Sequence, residues 1–219
     1  MTENNGVLGE NPASRSGVER VVNAPLHTAY GEFQAIGYLD HDRGDEQIAL
    51  VHGDLGSEGV LTRLHSECLT GDVFGSRHCE CGDQLAFALR AVAAEGSGVV
   101  VYLRGHEGRG IGLLAKLRAM ALQAQGLDTV EANLVQGLPA DARDYGVAAG
   151  ILHDLGVVSV RLMSNNPRKR ESLLRYGIRV AEEVPVLIPP CENNITYLRT
   201  KRARLDHRLP HLDAVAHWS

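Results

Sequence analysis

The apolar pattern of the chain changes character at Asp83, and that change narrows the choice of fold more than any other feature. Before it, residues 32–38, 47–52 and 60–65 form short runs separated by Asp/Gly-rich segments, which predicts three antiparallel strands. After it, Leu85, Leu89 and Val92 recur at helical spacing. Gly96 and Gly98 end that helix, and residues 99–103 read as a strand. Leu113, Leu117 and Met120 mark one face of a second helix; Ala148, Ile151, Leu152 and Leu155, stopped by Gly156, mark a third. A strand at 159–163, a helix opened by Asn166-Pro167, a strand at 179–184 and a basic terminal helix at 193–208 follow. Strands alternating with helices pack as helices on a sheet, so the expected fold is α/β, one domain with a mixed sheet.

Composition sets the remaining limits. Of 219 residues, 44% are apolar and 22% charged, enough for a core. The longest apolar runs span only a few residues, as at 98–103, too short for a membrane. Residues 1–17 are polar, without the apolar stretch of a secretory signal, and read as a disordered leader. The expected division is leader 1–17, catalytic domain 18–208 and C-terminal tail 209–219, in a soluble cytoplasmic protein. Lys and Arg number 22 against 27 Asp and Glu, a net charge of −5, which does not attract a polyanion in bulk. Aromatic residues make up 5%, leaving few stacking platforms, so no nucleic-acid partner is expected. Arg199, Lys201, Arg202 and Arg204 read instead as a solvated basic face or a dimer contact.

Three of the four cysteines cluster. Cys79-x-Cys81, with Cys68 eleven residues upstream, can reach one tetrahedral Zn²⁺. Three protein ligands leave a fourth position for water; a closed structural site would recruit His65, His78, Asp72 or Cys191. Three buried thiols without metal are the plainer alternative. The spacing lacks the paired C-x-x-C knuckles of most structural sites, which favours an open one.

The strand at 99–103 runs into Arg104-Gly-His-Glu-Gly-Arg-Gly-Ile-Gly112 and then a helix. Glycines at 105, 108, 110 and 112 let backbone amides approach an anion, with Arg104 and Arg109 as clamps. The pattern is neither a P-loop nor G-x-G-x-x-G, and a simple glycine turn is the alternative. Ser164-Asn-Asn-Pro-Arg-Lys169, at a strand-to-helix turn, offers amides, a hydroxyl and an amine to a phosphate or base. It also reads as an ordinary N-cap with Pro at the first helical position.

Together, Arg63-Leu-His-Ser-Glu-Cys-Leu-Thr-Gly-Asp72, Cys79-x-Cys81-Gly, Glu107-Gly-Arg-Gly-Ile-Gly-Leu113 and Asp141-Ala-Arg-Asp144 resemble the GTP cyclohydrolase II family of riboflavin biosynthesis. The resemblance runs from about residue 60 to residue 201. It implies a homodimer, dependent on zinc and Mg²⁺, that opens the imidazole ring of GTP, releases formate and expels pyrophosphate. By position it assigns Cys68, Cys79 and Cys81 to zinc. It assigns Arg63, Leu64, His65, Ser66, Glu67, Gln84, Glu107, Gly108, Arg109, Thr129, Ser164 and Lys169 to GTP. Asp141 matches the family's proton acceptor, and Arg143 its nucleophile toward the α-phosphate.

Asp141 has a structural alternative: with Asp144 three residues on, it reads as an N-cap of the third helix. Arg143 then falls in that helix's first turn, where a cation opposes the macrodipole, a placement that suits anion binding. A guanidinium, almost fully protonated, is a poor nucleophile, so α-phosphate handling is the role expected of it.

Arg118-Ala-Met120-Ala-Leu122 departs from the family pattern, which has tyrosine, an active-site residue, where this chain has Met120. Methionine fills core gaps well, and Met120 shares a face with Leu113 and Leu117. A phenol donates a hydrogen bond, however, and a thioether does not. The reaction involves two hydrolyses, ring opening and cleavage of the resulting formamide, and the second needs its departing amine protonated. The expectation is a product that keeps the formyl group. Complete reaction with formate release, and a non-catalytic zinc-stabilised nucleotide-binding paralogue, are the alternatives. Ser164 in place of the usual threonine keeps the hydroxyl, and His78 and Glu80 also vary from the commonest pattern.

Overall fold

A computed structural model describes residues 17–215; the expected leader, apart from Gly17, and the last four residues of the expected tail lie outside them. The strands are β1 (Val18–Thr28), β2 (Gly31–Asp40), β3 (Asp45–His52) and β4 (Val60–Ser66). Two helices, α1 (Leu69–Asp72) and α2 (Cys81–Glu95), lead to β5 (Gly98–Leu103). Then come α3 (Glu107–Gly110), α4 (Leu113–Gln123), α5 (Glu131–Leu134) and α6 (Gly146–Asp154). The chain continues through β6 (Ser159–Met163), α7 (Pro167–Arg175), β7 (Arg179–Val184), α8 (Ile195–Leu205) and a 3₁₀ turn, Pro210–Val215. Among the described residues, no helix is long and apolar enough to cross a membrane.

The strands form one mixed seven-stranded sheet in the order β1-β2-β3-β5-β4-β6-β7. The first three and β5 pair antiparallel, whereas β4 pairs parallel with both β5 and β6, and β6 with β7. The sheet corrects the reading of residues 60–65 as the third antiparallel strand. β4 is buried along nearly its whole length, the mark of a parallel strand covered on both faces. β1 carried no alternation signal, because nearly all of it is exposed.

Helices cover both faces. On one, Ile36, Tyr38, Leu64, Val99 and Val101 pack against Ile151 and Leu152 of α6; on the other, Phe33, Leu61, Val100 and Met163 meet Leu89 and Val92 of α2. Val99, Val100 and Val101 thus alternate between the two layers, as strand geometry requires. Each such side chain, fully buried, contributes about 1.5–3 kcal/mol. α2 ends where Gly96 turns left-handed at φ 82°, as its spacing predicted.

Two local expectations are corrected. The Leu113/Leu117/Met120 face of α4 is not core: Leu117 is exposed and only Ala119 of this helix is buried. α6 starts at Gly146 rather than beside Asp141, so residues 141–145 form an irregular segment. Asp141 therefore caps no helix and Arg143 lies in no first turn; Asp144 accepts the Gly146 N–H instead.

The parallel strands β4, β5 and β6 end at Ser66, Leu103 and Met163 on the same edge of the sheet, the usual place for a ligand crevice in such sheets. The loops that leave them carry the cysteines, the glycine-rich segment and the Ser164–Lys169 turn.

Candidate active site

The chain leaves β4 and places Cys68 at the start of α1, while Cys81 opens α2 with Cys79 just before it. The three Sγ atoms lie within 4.8 Å of one another, with Cys68 and Cys79 3.8 Å apart. A tetrahedral zinc with sulfur ligands at about 2.3 Å spaces them by about 3.8 Å, so the donor set fits that metal. Gly71 makes the room: a Cβ there would sit 2.8 Å from Cys79 Sγ and 3.0 Å from Cys81 Cβ.

Of the other candidate ligands, His78 lines the same cavity but is not grouped with the three thiols, and His65, Asp72 and Cys191 are engaged elsewhere. His65 Nε2 sits 3.1 Å from both Asp72 oxygens, and Asp72 also accepts from Tyr102 Oη and the Cys68 N–H. Cys191 directs its sulfur at the Arg77 carbonyl. Among the described residues the cluster thus offers three ligands, which leaves a coordination position open.

Lys116, which sequence reasoning missed, reaches this cluster from α4. Its Nζ donates to Cys68 Sγ at 3.1 Å, Thr70 Oγ1 at 2.8 Å and Glu107 Oε1 at 2.6 Å. Hydrogen bonds from Cys79 and Cys81, followed by the Lys116 charge, hold the Cys68 thiol far below its usual range. The same sharing raises Cys79 to about 11. Glu107 is fixed in turn by the Leu69 and Gly108 N–H groups.

The glycine-rich segment is strongly bent. Gly108 and Arg109 have φ of 59° and 65°, and a Cβ on Gly108 would meet Ile111 at 2.9 Å and Lys116 at 3.0 Å. Arg109, strained in a left-handed conformation that side chains disfavour, donates to Thr129 Oγ1 at 3.0 Å and lies over the Tyr197 ring.

The Ala142 N–H donates to the Arg109 carbonyl at 3.0 Å, and beside it Arg143 is clamped by Asp141: Nε to Oδ1 at 2.9 Å and Nη2 to Oδ2 at 2.7 Å, with Nη1 reaching Ser66 Oγ at 3.3 Å. Burial alone would raise Asp141, but the Arg143 hydrogen bonds and the charges of Arg143 and Arg168 hold it at about 2. Burial pulls the other way on Arg143, and the neighbouring Tyr145 and Asp141 raise it. A guanidinium so held keeps its proton and has no lone pair to attack with.

Further cations converge. Lys169 Nζ donates to the Leu64 carbonyl at 2.7 Å; burial and then the Arg63 and Arg143 charges push it well below the usual lysine range. Arg63 donates to Gln84 Oε1 at 2.6 Å and the Met163 carbonyl at 2.9 Å, leaving its buried Nε unpartnered. His106, also missed, has Nδ1 3.2 Å from Ser66 Oγ, and burial with the Arg143 and Lys169 charges lowers it to about 3.

Every site residue that the resemblance assigns lines one cavity with the three cysteines, except Leu64 and Asp141; Arg104, expected as a clamp beside Arg109, lies outside it and pairs with Glu46 at 2.8 Å. The Leu64 side chain lies in the core, and only its carbonyl reaches the site. Asp141 stands behind Arg143. Ser164 Oγ bonds the Asn166 N–H, and Asn166 caps α7 by accepting from the Arg168 N–H. Met120 forms part of the wall, one helical turn beyond Lys116 on the same face of α4. Tyr197, Lys201 and His207 of the C-terminal segment complete the lining. No local pattern announces these three or Lys116, because tertiary folding brings them in; His106, inside the glycine-rich segment, was within reach of a closer reading.

Residues 19–185 match the family model for GTP cyclohydrolase II. The chain is 78% identical to "GTP cyclohydrolase-2" of Streptomyces coelicolor, over the full length of both. It is 56% identical to the riboflavin biosynthesis protein RibBA of Mycobacteroides abscessus, over 90% of this chain and 48% of that one. The RibBA of Mycobacterium tuberculosis gives the same identity over 47% of its length, so the chain spans about half of these longer relatives. With a matching model over most of its length and a full-length relative at this identity, the chain belongs to the GTP cyclohydrolase II family of enzymes.

Proposed function

We propose that this chain binds GTP in the cavity, opens the imidazole ring by hydrolysis with loss of pyrophosphate, and releases the product with its formyl group still attached. The observation that carries the reading is the make-up of the cavity: a three-thiol cluster and the guanidinium groups of Arg63, Arg109 and Arg143 line the same space. Cys68, Cys79 and Cys81 would hold zinc, which would supply Lewis-acid activation of water, and Mg²⁺ would supply countercharge.

The chain's own groups do the remainder. Arg143, fixed by Asp141 in a bidentate clamp, presents its charge to the α-phosphate without rearranging, which is electrostatic preorganisation. In this arrangement Asp141 positions Arg143; with both oxygens occupied it does not take up a proton at neutral pH. Arg109 and Thr129, bonded to each other, and Arg63 and Gln84, likewise bonded, hold the nucleotide.

Formamide cleavage needs a proton delivered to the departing amine. Met120 stands in the cavity wall at the position where a tyrosine would supply an O–H, and its thioether donates none. The second hydrolysis therefore stalls. Riboflavin synthesis is the outlet for a formate-releasing enzyme; a formyl-retaining one feeds a different route. Assembly as a homodimer in the cytoplasm belongs to the same reading.

The test is mass spectrometry of the product from zinc-loaded protein, Mg²⁺ and GTP, with formate assayed alongside. The expected result is a ring-opened monophosphate that retains the formyl carbon, with pyrophosphate and no formate; Met120→Tyr then releases formate. Formate equal to GTP consumed by the unaltered chain would overturn the product assignment. GTP binding without turnover would make the chain a non-catalytic paralogue.

A further inference from the structure

We propose that the arm formed by residues 195–212 is the wall of the nucleotide site that meets the triphosphate, with His207 donating a hydrogen bond to a phosphate oxygen. The proposal rests on the reading of the cavity as a GTP site, and it concerns residues beyond the family match, which ends at 185.

The arm is fastened, not draped. Ile195 and Leu198 of α8 pack against Leu209 and Leu212, and Lys201 forms a buried ion pair with Glu80 at 3.0 Å. The Arg208 N–H donates to the Asn165 carbonyl at 2.9 Å, which ties the arm to the Ser164–Lys169 turn. Between these anchors Asp206 takes a left-handed φ of 55°, a conformation that costs free energy in a non-glycine residue, and the reversal brings His207 into the cavity lining.

Among the described residues no group hydrogen-bonds the His207 ring. Burial, then the charges of Lys201, Arg143, Lys169 and Arg109, push it down to about 2. Lys201 and Arg143 already face Glu80 and Asp141, but Arg109 has no carboxylate partner among the described residues, so the space beside the imidazole keeps a positive charge that suits an anion. A polyphosphate supplies the anion, and the imidazole N–H a directed contact to it.

The experiment uses the full, zinc-loaded chain and isothermal titration with guanosine 5′-(α,β-methylene)triphosphate and with inorganic pyrophosphate. His207→Ala is expected to weaken both by about tenfold, the scale of one hydrogen bond to a charged group, with the melting temperature unchanged. His207→Gln, which keeps an N–H donor, recovers affinity to within about threefold. Arg202→Ala, on the exposed side of α8 where Arg202 pairs with Asp213, leaves both affinities unchanged. Affinities for His207→Ala within twofold of the unaltered chain would overturn the proposal while leaving the GTP reading intact. So would a loss that tracks a fallen melting temperature and that glutamine does not repair. Failure of the unaltered chain to bind the analogue would overturn the substrate reading itself.

Discussion

Lys116→Met removes the cation that joins the thiol cluster to the glycine-rich segment, and its cost can be worked out from the contacts it breaks. Lys116 and Glu107 have side chains only 16% and 8% exposed. Removing one partner of such a pair costs about 3–5 kcal/mol when the other is left bare. Glu107 is not left bare, because the Leu69 and Gly108 N–H groups still donate to it, at 2.7 and 3.1 Å. We therefore expect about 2 kcal/mol of lost stability, which for a chain of this length is about 4–8 °C in Tm. The metal reports separately. Three thiolates exceed the charge of one Zn²⁺, and Lys116 balances the excess at 3.1 Å from Cys68 Sγ. Its loss should raise the zinc Kd by about 10–100-fold, the usual cost of deleting a group that bonds a metal ligand. Competition with a chromophoric chelator measures this, with Lys116→Arg as the variant that keeps the charge. A zinc Kd for Lys116→Met within threefold of the unaltered chain, alongside the fall in Tm, would refute the link to the metal.

Three further outcomes are expected. Gly71→Ala drives a methyl against Cys79 Sγ and Cys81 Cβ, so purified protein should carry sub-stoichiometric zinc by elemental analysis; full occupancy would refute the crowding argument. Asp141 falls from an ordinary 3.8 to about 2 in the folded chain, so its pairing contributes about 2 kcal/mol above pH ~4, lost as pH falls through about 2. Acid unfolding of Asp141→Asn should lack that component, and superimposable pH–Tm curves below pH 4 would contradict it. Arg109→Gly relieves a left-handed backbone worth about 1–2 kcal/mol and loses the Thr129 bond, so stability should stay within about 1 kcal/mol. Affinity for a GTP analogue should nonetheless fall at least tenfold, and unchanged affinity would remove Arg109 from the site.

Some of this architecture was legible from the sequence because it depends on local physics. α2 announced itself through Leu85, Leu89 and Val92 and the glycine that stops it, and the thiol cluster through spacing that survives folding. β4 was seen as a strand but given the wrong neighbours, since sheet order depends on which crossover helices intervene and no short window contains them. The Asp141/Asp144 spacing mimicked a capping motif; the chain stays irregular to Tyr145 because Asp141 is bonded to Arg143 instead. Lys201 read as solvated because its neighbours Arg202 and Arg204 are basic and exposed, yet it alone of these three is buried, against Glu80. Each of these misreadings involves a partner dozens of residues away or a local bond that competes with a regular motif.

The two sulfurs of Cys68 and Cys79, 3.8 Å apart, have a consequence for handling the protein. A disulfide needs them at about 2.05 Å, so a shift of under 2 Å would join them. Lys116 favours the thiolate on Cys68, the form that attacks an oxidised sulfur. Zinc held there would serve as a protecting group: bound, it would occupy the lone pairs that oxidants and alkylating agents seek, and removed, it would leave a pair ready to close. Metal-free protein kept in air should lose the capacity to take up zinc, and a thiol reductant should restore it.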